Sequence, residues 1–185
     1  MRVIAGALKG RRLASPNWEG LRPTSDKLRE TLFNVLGPAV SGARVLDGFA
    51  GTGAVGIEAL SRGAAHVTFV ERDRRALGLV GENLKHCGLE EGYAIIRVEF
   101  AAAAARLSGQ RFDIIFLDPP YGEGEMIAAL TAASGLASAQ TRVIIEHAKR
   151  DTPPSESGGL VLIRQLKSGD SALAFYRPAE ALHTS

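Results

Sequence analysis

Asp47 is the first of two acidic residues that directly follow an apolar stretch and open a distinctive motif. It follows Val45 and Leu46 and leads into a turn in which four of the next nine residues are glycines. Glycine permits positive φ and lets a ligand approach the main chain closely. A helix that starts at such a turn offers free N–H groups and a positive dipole end. The pattern predicts a cofactor site in the first βα unit of an α/β sheet. The glycines of this turn are Gly48, Gly51, Gly53 and Gly56.

The second acidic residue, Asp118, follows the apolar run 114–117 and precedes Pro119, Pro120 and Tyr121. The exocyclic amine of a nucleobase is a poor nucleophile because its lone pair is delocalised into the ring. The Asp118 carboxylate and the Pro119 carbonyl can accept its two N–H bonds and hold the nitrogen in line with a methyl donor. Proline stiffens the turn, and Tyr121 offers a stacking face worth roughly 1–3 kcal/mol to an extruded base. The motif therefore predicts an amino-methyltransferase site.

The glycine turn by itself is compatible with two cofactors. Residues 51–56 satisfy G-x-G-x-x-G, and Glu71 lies 20 residues after Gly51, as in dinucleotide-binding units. A carboxylate at Asp47 would repel a pyrophosphate, however, whereas it suits the ammonium group of S-adenosylmethionine. Little chain remains for a separate substrate domain. S-adenosylmethionine is the predicted cofactor, with Glu71 accepting hydrogen bonds from its ribose hydroxyls, and a dinucleotide oxidoreductase stays an alternative.

Strand and helix patterns alternate from residue 43 onward, which predicts βαβ units and a mainly parallel sheet. Ligands in such sheets bind at the carboxyl ends of the strands, so Asp118 is expected near the glycine turn. The stretch 148–159 is predicted to be a loop, and a terminal β-hairpin is predicted to place one strand antiparallel at the sheet edge. The predicted strands are 43–47, 66–71, 94–98, 112–117 and 141–147, the helices 53–62, 73–87, 101–108 and 123–136, and the hairpin strands 160–166 and 171–176.

Residues 1–40 are predicted to form a basic extension, and residues 41–185 the catalytic domain. The extension carries seven basic and three acidic residues, a net charge of +4, against −2 for the remainder. Such an arm on a near-neutral body favours a polyanionic partner. A short strand or hairpin is expected within 2–22. A helix is then expected to start at Thr24 or Ser25 and to end at Gly37-Pro38.

The composition is that of a soluble globular protein, with 45% hydrophobic and 23% charged residues in 185. The lone Cys87 excludes an internal disulfide, and one thiol with four scattered histidines argues against a zinc site, so no metal site is predicted. No apolar run approaches the roughly 18 residues of a membrane span, and basic residues interrupt the amino terminus too early for a signal peptide. A cytoplasmic, monomeric enzyme is expected.

The chain resembles the RsmD family, bacterial methyltransferases that modify the N2 amine of a guanine in 16S ribosomal RNA. The similar segments are 2–13, 21–34, 46–64, 118–121 and 169–177. The glycine turn and D-P-P-Y are shared widely among methyltransferases. The segment L-R-P-T-S-D-K-L-R-E-T-L-F-N at 21–34 is much more specific to the family, so it carries the assignment. The resemblance implies a Rossmann-like class I S-adenosylmethionine-dependent methyltransferase, an α/β fold with a mostly parallel, doubly wound sheet that ends in a β-hairpin.

The resemblance also implies roles for individual residues. It assigns cofactor binding to Asp47, Phe49, Gly51, Gly53 and Glu71. It assigns methyl transfer to Asp118, Pro119, Pro120 and Tyr121. Candidates for RNA phosphate contact are Arg2, Arg11, Arg12, Arg22 and Arg29, with Pro23 and Thr24 shaping that surface.

One position departs from the family pattern. Such enzymes usually have Asp or Asn before an alanine after the third strand, to hydrogen-bond adenine, whereas Phe100 stands there in this chain. Either Phe100 packs on the adenine ring or Glu99 takes over the hydrogen bond.

The hypothesis is therefore in-line methyl transfer to guanine N2 of 16S ribosomal RNA, in a small-subunit particle or an assembly intermediate, after extrusion of the base. Catalysis would come mostly from positioning the target amine in line with the methyl group. A DNA adenine-N6 methyltransferase is one alternative, since D-P-P-Y serves that amine equally well. A non-catalytic RNA-binding assembly factor is another.

Overall fold

A computed structural model describes residues 1–18 and 24–182. Its centre is an eight-stranded sheet with the strand order β3-β2-β1-β4-β5-β8-β7-β6. The strands are β1 (Arg44–Asp47), β2 (His66–Val70), β3 (Tyr93–Ile96), β4 (Ile114–Leu117), β5 (Arg142–Ala148), β6 (Glu156–Ser157), β7 (Leu160–Ser168) and β8 (Ser171–Pro178). The α-helices are α1 (Asp26–Leu36), α2 (Ala54–Ser61), α3 (Arg74–His86), α4 (Phe100–Arg106) and α5 (Glu123–Ser134).

Strands β1 to β5 are parallel to one another and alternate with helices. Because helices cover both faces, the inner strands are apolar along their length: β4 reads I-I-F-L and is buried throughout. The predicted βαβ alternation is confirmed, and the elements begin and end within about three residues of the predicted bounds. The fold is a mostly parallel, doubly wound α/β sheet.

The terminal hairpin joins the sheet more fully than the sequence indicates. Strand β8 pairs antiparallel with β5 on one side and with β7 on the other, so it lies inside the sheet. The prediction of a loop over 148–159 was wrong for Glu156–Ser157, which pairs with β7 as the outermost strand. A two-residue strand has too short a pattern to be recognised in a sequence.

The two faces of the sheet have separate cores. The core on one face includes α1, α2 and α3, together with Val3 and Leu13 from the amino-terminal arm, residues 1–18. The other core includes α4 and α5. Within the arm, Arg2 and Arg12 form an isolated antiparallel bridge, in agreement with the short hairpin predicted there. The arm is therefore packed against one face of the sheet through apolar side chains.

Helix α1 begins as predicted, with the Ser25 hydroxyl accepting a hydrogen bond from the Leu28 amide. It ends at Leu36, but the chain continues as a 3₁₀ turn over Gly37–Val40. Gly37 has a φ of +53°, which ends the α-helical geometry. Across the described parts of the chain, 1–18 and 24–182, no helix has the length and apolar character needed to cross a membrane.

Candidate active site

A cavity of about 750 Å³ lies at the carboxyl ends of β1, β2, β4 and β5. The glycine turn forms one wall of it and the loop after β4 another. Most of the predicted site residues line it, namely Asp47, Phe49, Gly51, Glu71, Phe100, Asp118, Pro119, Pro120 and Tyr121. The two motifs, about 70 residues apart in the sequence, therefore meet because β1 and β4 are neighbouring parallel strands.

The glycine turn is held to both neighbouring strands by its main chain. The Gly48 amide donates to the Phe116 carbonyl of β4 at 2.8 Å, and the Ala50 amide donates to the Val70 carbonyl of β2 at 2.9 Å. Gly51 and Gly53 have φ values of +54° and +76°, which side-chain-bearing residues rarely adopt. The position of the turn is thus set by the sheet.

Gly53 is the one predicted cofactor contact that does not line the cavity. It precedes α2 in the left-handed conformation, and its amide donates to the Ala50 carbonyl at 2.7 Å. Its part in the site is therefore to close the turn that presents Gly51.

Asp47 is almost completely buried at the floor of the cavity. Its Oδ2 accepts a hydrogen bond from the Gly56 amide at 3.0 Å, so it also ties β1 to the first turn of α2. Burial raises the pKa of this carboxyl to about 7; the Gly56 hydrogen bond opposes the shift, and the negative charge of Glu71 adds to it. A cationic group placed beside Asp47 would favour its ionised form.

Glu71 connects the end of β2 to the glycine turn. Its Oε2 accepts from the Gly51 amide at 3.0 Å, and its Oε1 accepts from the Asp73 amide at 2.8 Å. Each carboxylate oxygen has a second lone pair available for a ligand hydroxyl. Glu71 thus fixes the shape of the turn as well as lining the cavity.

The position that departs from the family pattern contributes an aromatic surface. The rings of Phe49 and Phe100 lie 5.2 Å apart between centroids and are tilted by 36°. Glu99 also lines the cavity, and its exposed carboxylate pairs with Arg72 at 2.7 Å. Both residues proposed for adenine contact therefore border the same space.

The residues of the loop after β4 differ in their exposure to solvent. Asp118 is half-buried, Pro119 is buried and Pro120 is exposed. Tyr121 is 47% exposed although it is a large aromatic residue. Gly122 follows with a φ of +134°, which turns the chain into α5. Asp118 thus lies further inside the cavity than the exposed ring of Tyr121.

The arginines predicted to contact RNA phosphates differ in their exposure in the structure. Arg2, Arg11 and Arg12 are exposed on the arm. Arg22 and the neighbouring Pro23 lie outside the described residues. The prediction for Arg29 was wrong, because its side chain is completely buried and pairs with Asp26 at 2.6 Å.

The arm also lines the cavity, which the sequence does not reveal. Trp18 of the arm borders it, as does Thr24 just before α1, and the Trp18 ring lies 4.9 Å from the guanidinium carbon of Arg75. Asn83 accepts from the Ala14 amide at 2.6 Å and donates to the Thr52 carbonyl at 2.9 Å, which joins the arm to the glycine turn. No local pattern in the arm predicts this contact.

Glu146 is a further lining residue that the sequence analysis missed. It follows the apolar residues Val143, Ile144 and Ile145, the same signal that identifies Asp47 and Asp118, so it could have been found. His147, next along β5, is buried and contacts the Ala148 carbonyl and Gln165. Among residues 1–18 and 24–182, no group of three or more His, Cys, Asp or Glu side chains could hold a metal ion.

The fold and the site together define a Rossmann-like class I methyltransferase. A solved structure of the Escherichia coli protein YhhF, provisionally described as a methyltransferase, superimposes with a TM-score of 0.83 at 32% identity, covering 96% of this chain and 97% of that one.

A family model described as Conserved hypothetical protein 95 matches residues 1–177. Ribosomal RNA small subunit methyltransferase D of Escherichia coli K12 is 36% identical over 96% of this chain and 89% of its own length. YlbH of Bacillus subtilis, provisionally named an rRNA methyltransferase, is 40% identical over 96% of this chain and 98% of its own length. The chain belongs to this family, the RsmD family.

Proposed function

We propose that this protein transfers a methyl group from S-adenosylmethionine to the exocyclic N2 amine of a guanine in small-subunit ribosomal RNA. The observation that carries the proposal is the single cavity shared by the glycine turn, Glu71 and the Asp118 loop. The relative from Escherichia coli, named for methylation of small-subunit ribosomal RNA, supports the substrate class. The reaction is proposed to occur in the cytoplasm, with the protein acting as a monomer on a small-subunit particle or an assembly intermediate.

The residues of the cavity fit the proposed cofactor. Asp47 offers a buried carboxylate to the ammonium group, Glu71 offers lone pairs to the ribose, and Phe49 and Phe100 offer ring surface to the adenine. Because residue 51 is a glycine, at a φ of +54°, this part of the wall carries no side chain. When bound there, S-adenosylmethionine supplies a methyl group on a positively charged sulfur.

Asp118 and the Pro119 carbonyl are proposed to orient the target amine. Accepting both N–H bonds directs the nitrogen lone pair at the methyl carbon. The methyl group that a bound S-adenosylmethionine would supply, by exchange of its sulfur–methyl bond for the new N–C bond, would leave the nitrogen with a surplus proton and a positive charge. Its extra proton then leaves to water or to the Asp118 carboxylate. Tyr121, exposed at the mouth, stacks on the extruded base.

The arm supplies the proposed contacts to the RNA backbone. Arg2, Arg11 and Arg12 are exposed on it, and the same segment reaches the cavity through Trp18. Phosphates bound along the arm would therefore lie beside the base that enters the site. Phosphate contacts position a nucleic acid but do not read its sequence.

Transfer of labelled methyl from S-adenosylmethionine tests the proposal. Small subunits, naked 16S RNA and duplex DNA are compared, and the methylated nucleoside is identified after digestion. We expect N2-methylguanosine from RNA. N6-methyladenine from DNA would replace the proposed substrate with the alternative one. RNA binding without transfer, in protein that binds the cofactor, would favour a non-catalytic assembly factor.

A further inference from the structure

Glu146 is a second acidic residue in the substrate end of the cavity. It lies within β5, is only 5% exposed and lines the cavity together with Asp118 and Tyr121. The mechanism proposed above gives it no task, and neither of the two sequence motifs includes it.

The strand register places Glu146 beside Asp118. Leu117 of β4 pairs with Ile145 of β5, so the two acidic residues are the next positions along neighbouring parallel strands. Side chains alternate between the faces of a strand. Phe116 and Ile144 point into the core below α1 to α3, whereas Leu117 and Ile145 point into the other core. Glu146 continues this alternation within β5 and points to the first of these faces, and Asp118, the residue that follows β4, borders the same cavity.

Parallel strands lie about 4.8 Å apart, so two carboxylates in this arrangement can converge on one base edge. Guanine presents an N1–H donor directly beside its N2 amine. Adenine presents its N6 amine beside N1, which is an acceptor and would face a carboxylate unfavourably. The pair Asp118 and Glu146 therefore matches the donor pattern of guanine.

We propose that Glu146 accepts the N1–H of the target guanine while Asp118 accepts from its N2 amine, which makes Glu146 a specificity-determining residue. This inference rests on the proposed guanine-N2 activity and extends it. A site built around a buried hydrogen-bond acceptor rejects substrates that lack the donor. The D-P-P-Y loop alone serves guanine and adenine amines equally, so the choice between them is made from β5.

The test compares guanine with 2-aminopurine, which keeps the 2-amino group but has an unprotonated N1. Small subunits are reconstituted with 16S RNA that carries either base at the methylated position, introduced by ligation, and kcat/KM for methyl transfer is measured. We expect the protein to prefer guanine by at least about 100-fold. Glu146→Gln should reduce this preference by about tenfold or more, because its amide can donate to the N1 of 2-aminopurine. Dividing the guanine preference of the variant by that of the parent protein cancels the difference in intrinsic reactivity between the two bases.

Glu125→Gln is the matched control, since Glu125 also lines the cavity but is exposed in α5. This variant should keep the full preference for guanine, and cofactor affinity reports whether each variant is folded. A folded Glu146→Gln protein with undiminished preference would overturn the inference. If that variant does not fold, the parent protein still decides, because equal use of 2-aminopurine and guanine would also overturn it. Absence of transfer to guanine particles by the parent protein would instead refute the proposed function.

Discussion

At the residue scale, Asp118 and Asp47 are acidic residues at the ends of neighbouring strands with separate expected tasks. Asp118→Asn should lower the methyl-transfer rate by about 100-fold or more. The amide has a single acceptor oxygen and no negative charge, so it orients and stabilises the target amine less well. S-adenosylmethionine binding, measured by calorimetry, should change little, since the role proposed for Asp118 is to orient the target amine and not to hold the cofactor. Normal turnover in this variant would remove Asp118 from the mechanism.

The environment of Asp47 predicts a pH dependence of cofactor binding. The pKa of this carboxyl is about 7 in the folded protein, and only its ionised form attracts an ammonium group. Affinity for S-adenosylmethionine should therefore rise with pH, by up to about tenfold per pH unit below that pKa. Calorimetric titration from about pH 6 to about pH 8 measures it. Asp47→Asn should bind weakly at every pH, and a parent protein without pH dependence would contradict the assigned contact.

The same pKa shift has a consequence for stability. The pKa rises from 3.8 to about 7 on folding, so the folded chain binds more protons at Asp47 between these values. The contribution to the free energy of unfolding is fully present below pH 3.8 and is lost as pH rises through 7. In Asp47→Asn, the free energy of unfolding measured by urea denaturation should decrease less steeply as pH rises over this range. A pH profile identical to that of the parent protein would contradict the pKa shift.

At the element scale, a buried charge network fastens the arm to α1 and α2. The Glu58 carboxylate accepts from the Ile4 and Ala5 amides at 2.7 and 3.0 Å and lies 3.7 Å from the Arg29 guanidinium. Arg62 also pairs with Glu58, at 2.7 Å. The network is built from three separate segments, so it defines where the arm sits.

Removal of one partner from this network should be costly. Glu58→Gln leaves the buried Arg29 guanidinium with less compensation and should lower the free energy of unfolding by about 3 kcal/mol. Adding Arg29→Met should recover part of the loss, because the uncompensated charge is removed as well. Urea denaturation of both single variants and the double variant measures the coupling. Strictly additive losses would mean that the two side chains act independently.

Two helical glycines provide a matched pair for the packing of α2 and α3. A Cβ at Gly56 would lie 2.2 Å from a ring carbon of Phe69, whereas nothing lies within 4 Å of one at Gly78. Gly56→Ala should therefore destabilise by about 1–3 kcal/mol through overpacking. Gly78→Ala in α3 should stabilise by up to about 1 kcal/mol. Thermal unfolding compares them, and similar shifts in Tm for both would contradict the packing of α2 on β2.

At the scale of the whole molecule, the arm is expected to bind RNA, and the cavity at the carboxyl ends of the strands is expected to bind the cofactor. Replacing Arg11 and Arg12 with Ala should weaken binding to 16S RNA and reduce its salt slope by up to about 1.4 to 1.8. Filter binding at increasing salt concentration measures the slope. Arg106→Ala, an exposed position on α4, is the control and should leave the slope unchanged. An unchanged slope in the double variant would place the arm away from the RNA.

Much of this architecture can be predicted from local sequence, because strands, helices and turns depend on neighbouring residues. Apolar runs predict β1 to β5, and the glycines after Asp47 predict the turn. The order of the parallel strands then brings Asp47, Glu71 and Asp118 to one edge, as ligand sites in such sheets require. The segment 21–34, which is specific to the family, indicates the family.

Contacts between distant segments were decided only by tertiary structure. Arg29 looks like an exposed basic residue of a helix, but Glu58, 29 residues later, makes its burial possible. Trp18 enters the cavity wall because Asn83 holds the arm against the glycine turn. Glu146 lines the same cavity as Asp118 because β4 and β5 are neighbouring parallel strands. Sequence patterns encode which face of an element is apolar, whereas the partner of a polar side chain depends on how those faces pack.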